Sequence, residues 1–154
     1  MTAARAKKLV RTRSPSRAAE LGPLIAQGRR LSFHRAAQKL EAQGHSMYAW
    51  QLLNQLRKLG SATQRELAVA TAQHPAGVSR QLDELENMGA VKRSRAKDDR
   101  RKIEVGMTAL GRALFATMQP EVEAALEEVF SALTATEQGL LQTLLEKLLH
   151  HTKR

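Results

Sequence analysis

The sequence contains no cysteine and few aromatic residues, which make up 3% of its 154 positions. Without cysteine the chain can form no disulfide, no cysteine-ligated metal site and no thiol redox switch. No apolar run approaches the ~18 residues that a membrane-spanning helix needs. The basic N-terminus is not followed by the apolar segment of a secretory signal. We therefore expect a cytoplasmic protein with no membrane partner.

The common sequence motifs of enzymes are also missing. The chain has no glycine-rich phosphate loop, no nucleophile elbow and no set of His, Asp and Glu at metal-ligand spacing. His150 and His151 have no third candidate ligand near them in the sequence. We expect a protein that is not an enzyme and that binds no cofactor and no metal.

Positive charge is what the sequence has in excess. The formal net charge of +10 suits a polyanionic partner, either nucleic acid or an acidic membrane surface. Ordinary solvated charge is the alternative. The cations concentrate in residues 1–19 and 91–102, whereas residues 113–149 carry mostly acidic charge. One part of the molecule is therefore suited to phosphates and another part is not.

Apolar periodicity predicts a mainly helical protein, since Leu and Ala supply much of its 42% hydrophobic content. Residues 1–16 lack periodicity, and we expect them to form a flexible basic arm. A helix is predicted within residues 17–45, where Gly22-Pro23 either breaks it or starts it. Ser46 is a suitable N-cap for the helix that follows.

A helix-turn-helix pattern comes next. Thr63 and Glu66 form a capping box at the start of a short helix. After a turn, Pro75 occupies a helix start, where its missing N–H costs nothing. The second helix, over residues 76–88, would carry Ser79, Arg80 and Gln81 on its outer face.

The period then changes from helix to strand. Alternation predicts strands at residues 90–95 and 102–107, joined by a charged tip. Such a hairpin beside a helix-turn-helix is a wing.

Two further helices are predicted at the C-terminal end. Thr108 caps the first, and Pro120 inside it predicts a kink, because the apolar pattern continues in phase on both sides. Thr134 and Glu137 form a capping box before the last helix. This helix carries a wide leucine stripe, formed by Leu140, Leu141, Leu144, Leu145, Leu148 and Leu149. The stripe needs a partner, either its own domain or a second subunit.

Together these motifs resemble the MarR family of winged helix-turn-helix transcriptional regulators. The similarity lies in Leu59-Gly-Ser-Ala-Thr-Gln-Arg-Glu-Leu-Ala, Gly77-Val-Ser-Arg-Gln-Leu-Asp-Glu-Leu-Glu-Asn-Met-Gly, Val91-Lys-Arg, Asp98-Asp-Arg-Arg-Lys and Met107-Thr-Ala-Leu-Gly. The resemblance implies a mainly α fold with a small β-hairpin wing. It places a DNA-binding domain at residues 46–107, between dimerisation helices at residues 17–45 and 108–154.

The resemblance also implies that residues 75–88 lie in the major groove and that the wing reaches the minor groove. The candidate DNA-binding residues are then Thr63, Gln64, Arg65, His74, Ala76, Gly77, Ser79, Arg80, Gln81, Arg93, Arg95, Asp99, Arg100 and Arg101. Gly77 would let the backbone approach DNA closely.

The wing has a defined expectation within this set. Arg101 would enter the minor groove with Asp99 orienting it, and Arg100 would contact phosphate. Simpler interpretations stay open elsewhere. Thr63 can act as a cap alone. Arg80 can contact phosphate only, or it can pair with Asp83 or Glu84 on its own helix.

Family members commonly bind a small aromatic or phenolic effector between the dimerisation helices and the DNA-binding lobe. The candidates to line such a cleft here are Arg30, His34, His45, Tyr48 and Trp50. Trp50 also has a plain interpretation as a core residue, because it lies on an apolar helix face.

The sequence thus predicts a bacterial transcriptional regulator, a repressor in our interpretation. It would bind a short inverted repeat in double-stranded DNA as a homodimer and be released by a small molecule. The alternative is a sequence-indifferent architectural protein of the nucleoid, which the basic arm and the net charge also fit.

Overall fold

The computed structural model describes residues 16–96, 99 and 101–151, within which the chain forms six helices and three short strands. In chain order these are α1 (Arg17–Glu41), α2 (Met47–Leu59), β1 (Ser61–Ala62), α3 (Gln64–Thr71), α4 (Pro75–Asn87), β2 (Val91–Arg95), β3 (Ile103–Met107), α5 (Ala109–Phe130) and α6 (Ala135–His151). Residues 1–15 of the predicted basic arm, and Arg100 of the predicted wing contacts, lie outside the described residues.

The long first helix begins earlier than Gly22-Pro23. The Ser16 side chain accepts a hydrogen bond from the Ala19 amide, so Ser16 is the N-cap and α1 starts at Arg17. Pro23 lies inside the helix and removes one backbone donor. The glycine–proline pair therefore neither starts nor breaks α1.

The wing is confirmed as an antiparallel hairpin, and a third strand completes its sheet. The strand order is β1-β3-β2, with Val91 opposite Met107 and Arg93 opposite Val105. The sequence analysis missed β1, which has two residues and pairs with β3 through Ser61 and Ala62. Through β1, the chain segment just after α2 is tied to the wing.

One hydrophobic core holds these elements together. α2 lies at its centre, with Leu52, Leu53 and Leu56 almost completely buried. The C-terminal half of α1 and the middle of α5 cover it on one side. The helix-turn-helix and the wing cover it on the other, and their buried side chains are Leu67, Val78, Leu82, Leu85, Val91 and Val105. The helix-turn-helix, the wing and the long helices therefore share one packed interior.

The first half of α1 and the whole of α6 lie outside this core. Every residue from Ser16 to Leu31 is exposed, and no residue of α6 is buried. The exposed large apolar side chains of these segments are Leu21, Leu24, Ile25, Leu31, Leu140, Leu141, Leu144, Leu148 and Leu149. No helix in the described part of the chain is long and apolar enough to cross a membrane. Most of the leucine stripe is therefore exposed in the single chain.

The start of α5 lies unusually close to the start of the wing. A Cβ added to Gly111 would stand 2.0 Å from the Ala90 carbonyl oxygen and 2.7 Å from Met107 Cγ. The Ala90 oxygen cannot retreat easily, because it accepts hydrogen bonds from the Thr108 amide (3.0 Å) and the Thr108 hydroxyl (3.1 Å). Only glycine fits at position 111.

We predict that Gly111→Ala lowers the free energy of unfolding by about 1–3 kcal/mol, the usual cost of inserting a methyl group into a packed site. Chemical denaturation of the purified variant measures it. Gly28→Ala is the matched control, since a Cβ there meets nothing within 4 Å. It should raise stability slightly through helix propensity. Equal stability of both variants would contradict the close contact.

Candidate nucleic-acid interface

The first helix of the helix-turn-helix begins at the predicted capping box. Thr63 Oγ1 accepts from the Glu66 amide at 3.2 Å, and Glu66 Oε2 accepts from the Thr63 amide at 2.7 Å. The Thr63 amide and hydroxyl both hold the pKa of the Glu66 carboxyl below its usual value. Arg65 is exposed on the first turn of α3, and Gln64 is half-buried. Thr63 therefore has a capping role whether or not it also contacts DNA.

The turn between α3 and α4 is held by side chains. Ala72 has a φ of +53°, a left-handed conformation that is uncommon for a residue with a Cβ. Gln73 Nε2 donates to Gln51 Oε1 on α2 at 3.1 Å, which ties the turn to the core helix. His74 is the N-cap of α4, because its Nδ1 accepts from the Ala76 amide at 3.2 Å. These contacts set the direction in which α4 starts.

α4 buries one face and presents the other. Val78, Leu82 and Leu85 point into the core. Arg80 is exposed and makes no ion pair with any described residue, because Asp83 contacts Arg93 while Glu84 accepts from Gln81 Nε2 at 2.9 Å. The alternative, in which Arg80 pairs with an acid of its own helix, is therefore not seen among the described residues, and its guanidinium is exposed to a partner.

Gly77 has no packing reason to be glycine. A Cβ at this position would meet nothing within 4 Å, and the residue lies in the first turns of α4. Glycine inside a helix costs roughly 0.5–1 kcal/mol relative to alanine. The predicted role of Gly77, close approach of DNA to the helix backbone, stays a prediction.

The described part of the wing tip orients one arginine. Asp99 Oδ1 accepts from the Arg101 amide at 3.0 Å and from Arg101 Nε at 3.2 Å. The Arg101 side chain and amide together hold the pKa of the Asp99 carboxyl below its usual value, so this carboxylate is charged at neutral pH. The Arg101 side chain is nevertheless 92% exposed. The predicted partnership of Asp99 and Arg101 is present, with the guanidinium directed into solvent.

The other two arginines predicted on the wing differ from Arg101. Arg95 is exposed at the end of β2. The Arg93 side chain is only 26% exposed and contacts Asp83 and Glu86 of α4. The structure thus places Arg93 against α4, whereas Arg95 faces outward.

A cleft of about 760 Å³ opens beside the outward face of α4. Its lining combines cationic and aromatic side chains, with no acidic one among the described residues: Arg29, Arg30, Phe33, His34, Tyr48, His74 and Arg80. The Phe33 and Tyr48 rings lie 5.2 Å apart at 52°. Three of the five predicted effector-binding residues, Arg30, His34 and Tyr48, therefore share one cleft.

The other two predicted effector-binding residues do not line it. Trp50 stacks on Phe115 with ring centroids 6.2 Å apart, and its Nε1 donates to Gln119 Oε1 at 3.1 Å. Its apolar helix face packs it on the core, as its alternative interpretation held. His45 lies in the turn before α2 and is also outside the cleft lining. The sequence analysis missed Arg29 and Phe33, which helical spacing places on one face of α1 with Arg30.

Comparison with known proteins agrees with this geometry. The MarR family model matches residues 46–103, the segment from the N-cap of α2 to the start of β3. The fold is the winged-helix fold of MarR-type transcriptional regulators. A search of curated proteins gave no significant match.

Solved structures extend the similarity to most of the chain. MarR of Escherichia coli without ligand is 26% identical, with a TM-score of 0.73 over 84% of this chain and 96% of that one. A cysteine-to-serine variant of the same protein, in complex with operator DNA, is 26% identical with a TM-score of 0.72, over 86% and 95% of the two chains. BpsR of Bordetella bronchiseptica, whose DNA binding is regulated by 6-hydroxynicotinic acid, is 26% identical with a TM-score of 0.72, over 84% and 98%.

Proposed function

We propose that this protein represses transcription by binding a short inverted repeat in double-stranded DNA. The observation that carries this proposal is that two exposed arginines lie on different elements, one without an ion pair to any described residue and one oriented by an aspartate. Arg80 is free on the outward face of α4, and Arg101 is held by Asp99 at the wing. A helix fits the major groove, where Arg reads guanine, and an exposed guanidinium suits the narrow minor groove. Both are features of a DNA-binding regulator rather than an enzyme.

The two contacts differ in what they recognise. Arg80, Ser79 and Gln81 lie on adjacent positions of α4 and offer donors and acceptors to base edges. Arg101 would recognise groove width and potential instead of base identity. Arg65, exposed at the N-terminus of α3, is suited to phosphate. Sequence specificity would therefore come from α4, and Arg65 and Arg101 on either side of it would add affinity for DNA.

We predict a discrete footprint, with inverted symmetry, in DNA flanking the protein's own gene, and a loss of about tenfold or more in operator affinity for Arg101→Ala. The loss follows from removing a charge-assisted contact worth about 1.5–3 kcal/mol. Footprint titration at fixed salt measures both. Lys147→Ala removes the same charge from α6 and should bind like the wild type. Uniform coating of the DNA would instead indicate the architectural alternative, and unchanged affinity of the Arg101 variant would contradict the wing contact.

We further propose that the chain acts as a homodimer, whose two copies pair through α6 and the first half of α1. Leu140, Leu144 and Leu148 of α6 and the apolar residues in the first half of α1 are exposed in the single chain, which leaves a large area of apolar surface exposed. A second copy supplies a matching surface, since an isologous interface uses the same patch twice. Two recognition helices would then meet half-sites about 34–36 Å apart.

We predict that Leu144→Glu combined with Leu148→Glu converts a dimer into a folded monomer. Both side chains are about half exposed in the single chain, so their replacement leaves the core intact but places charges in the interface. Sedimentation equilibrium gives the mass, and circular dichroism gives the helix content. Thr143→Glu, on an exposed neighbouring position, is the control and should remain dimeric. A wild type that sediments as a monomer would refute the pairing.

We propose that the cleft beside α4 binds a small aromatic anion that releases DNA. Arg29, Arg30 and Arg80 supply positive charge, and Phe33 and Tyr48 supply aromatic surface. Charged hydrogen bonds to guanidinium are the strongest polar contacts for a carboxylate or phenolate. Arg80 lines the cleft and is also a predicted DNA contact, so a bound anion would compete with DNA for it. The regulation of BpsR by an aromatic acid supports this proposal.

We predict that 6-hydroxynicotinic acid or benzoate binds the free protein and that Arg30→Ala weakens this binding about tenfold, through loss of one charged hydrogen bond. Isothermal titration calorimetry measures the affinity. His45→Ala is the control, because His45 lies near α2 but outside the cleft lining. Equal binding of a probe to the wild type and to Arg30→Ala would place its site elsewhere.

A further inference from the structure

The base of the wing is joined to the recognition helix by one arginine. Arg93 Nη2 lies 2.7 Å from Asp83 Oδ1, and its Nη1 contacts Glu86 Oε2. Glu86 Oε1 also accepts from the backbone amide of Arg93 at 3.0 Å. Three hydrogen bonds thus connect α4 to β2, and one of them fixes the strand backbone itself.

The geometry of this cluster, Asp83, Glu86 and Arg93, favours a rigid connection. Asp83 and Glu86 are three residues apart, so they lie on the same face of α4. The two carboxylates take two different nitrogens of one planar guanidinium, which fixes its orientation as well as its position. The Arg93 amide and then its side chain hold the pKa of the Glu86 carboxyl below its usual value. Hydrogen bonding to Arg93 therefore favours the ionised form of Glu86, which is the form that these contacts require.

Partial burial separates Arg93 from the arginines that face solvent. Its side chain is 26% exposed and that of Glu86 is 38% exposed, compared with 92% for Arg101. Both terminal nitrogens of Arg93 already donate to carboxylates, so fewer of its donors are left for a phosphate. Arg93 is two residues before the end of β2, so its position sets the direction in which the hairpin leaves the core.

We propose that Arg93 is a positioning residue, which with Glu86 and Asp83 sets the wing at a fixed angle to α4 so that both elements engage DNA together. This rests on the proposed function, since it concerns the geometry of the same interface. Two acidic residues thereby have an indirect role in DNA binding, although acidic residues ordinarily oppose DNA binding.

The charge effect and the positioning role predict opposite changes in operator affinity, so the direction of the change distinguishes them. By charge alone, Glu86→Gln removes a negative charge near the DNA and tightens binding. By the positioning role, it loosens the wing and weakens binding. Glu104→Gln is the matched control on β3, where Glu104 accepts from the Ser61 hydroxyl at 2.8 Å. Glutamine retains an acceptor for that bond, so this control changes charge and keeps its local contact.

We expect Glu86→Gln to bind the operator about fivefold to tenfold more weakly than wild type, and Glu104→Gln to bind equally or slightly more tightly. Arg93→Lys keeps the charge but cannot hold both carboxylates in one plane, and it should weaken binding as Glu86→Gln does. The dependence of affinity on salt should keep its slope in Arg93→Lys, because no phosphate contact is lost. Equal or tighter operator binding by Glu86→Gln would overturn the proposal.

A second measurement needs no DNA. The amides of Ala96 and Lys102 close the hairpin, bonded to the Lys102 and Asp99 carbonyls at 2.9 Å each. In Glu86→Gln their hydrogen exchange should be faster than in wild type, while the α2 amides exchange unchanged, which shows that the core is folded. Unchanged exchange at the wing would overturn the positioning role. If the wild type protects no discrete site, the proposed function fails, and the exchange rates still decide whether Glu86 holds the wing.

Discussion

The start of α5 lies directly against the backbone of Ala90, and the geometry of the DNA-binding half depends on this contact. Ala90 ends the connection from α4 and leads into β2, while Thr108 follows β3 and caps α5 through the Gly111 amide. The absence of a side chain at Gly111 lets these backbones meet. α4, the wing and the long helix α5 are therefore joined at one point. A displacement of any one of them would strain the other two.

This junction separates two surfaces of opposite character. On one side are the exposed cations of α3, α4 and the wing. On the other, α5 continues through Pro120 and leads to α6, whose leucines are exposed. Because α5 belongs to the core and leads to the apolar end, pairing of two copies through that end would fix the distance between their recognition helices. The cleft beside α1 and α4 is lined by residues of both helices, so a ligand bound there would contact both.

Much of this architecture can be predicted from the sequence because its signals are local. The capping boxes at Thr63 and Thr134 require only residues three apart, and both are present. The alternation of the wing strands is equally local. β1 could not be predicted, because two residues carry no periodicity. The ion pairs of Arg93 depend on how β2 passes α4, and Trp50 could be separated from the cleft residues only once Phe115 was placed beside it.

The arginines show why composition alone cannot assign a DNA contact. Arg93 and Arg101 each pair with aspartate, yet the pairs differ in what they leave exposed. Arg101 keeps nearly all of its surface in solvent, so Asp99 limits its motion without removing it from a partner. A guanidinium restrained in this way loses less conformational entropy on binding than a free one. Arg93 is enclosed between a strand and a helix, where its charge stabilises the protein's own geometry. An ion pair at a basic surface therefore favours binding when it orients an exposed cation. When it encloses the cation, it supports the structure instead.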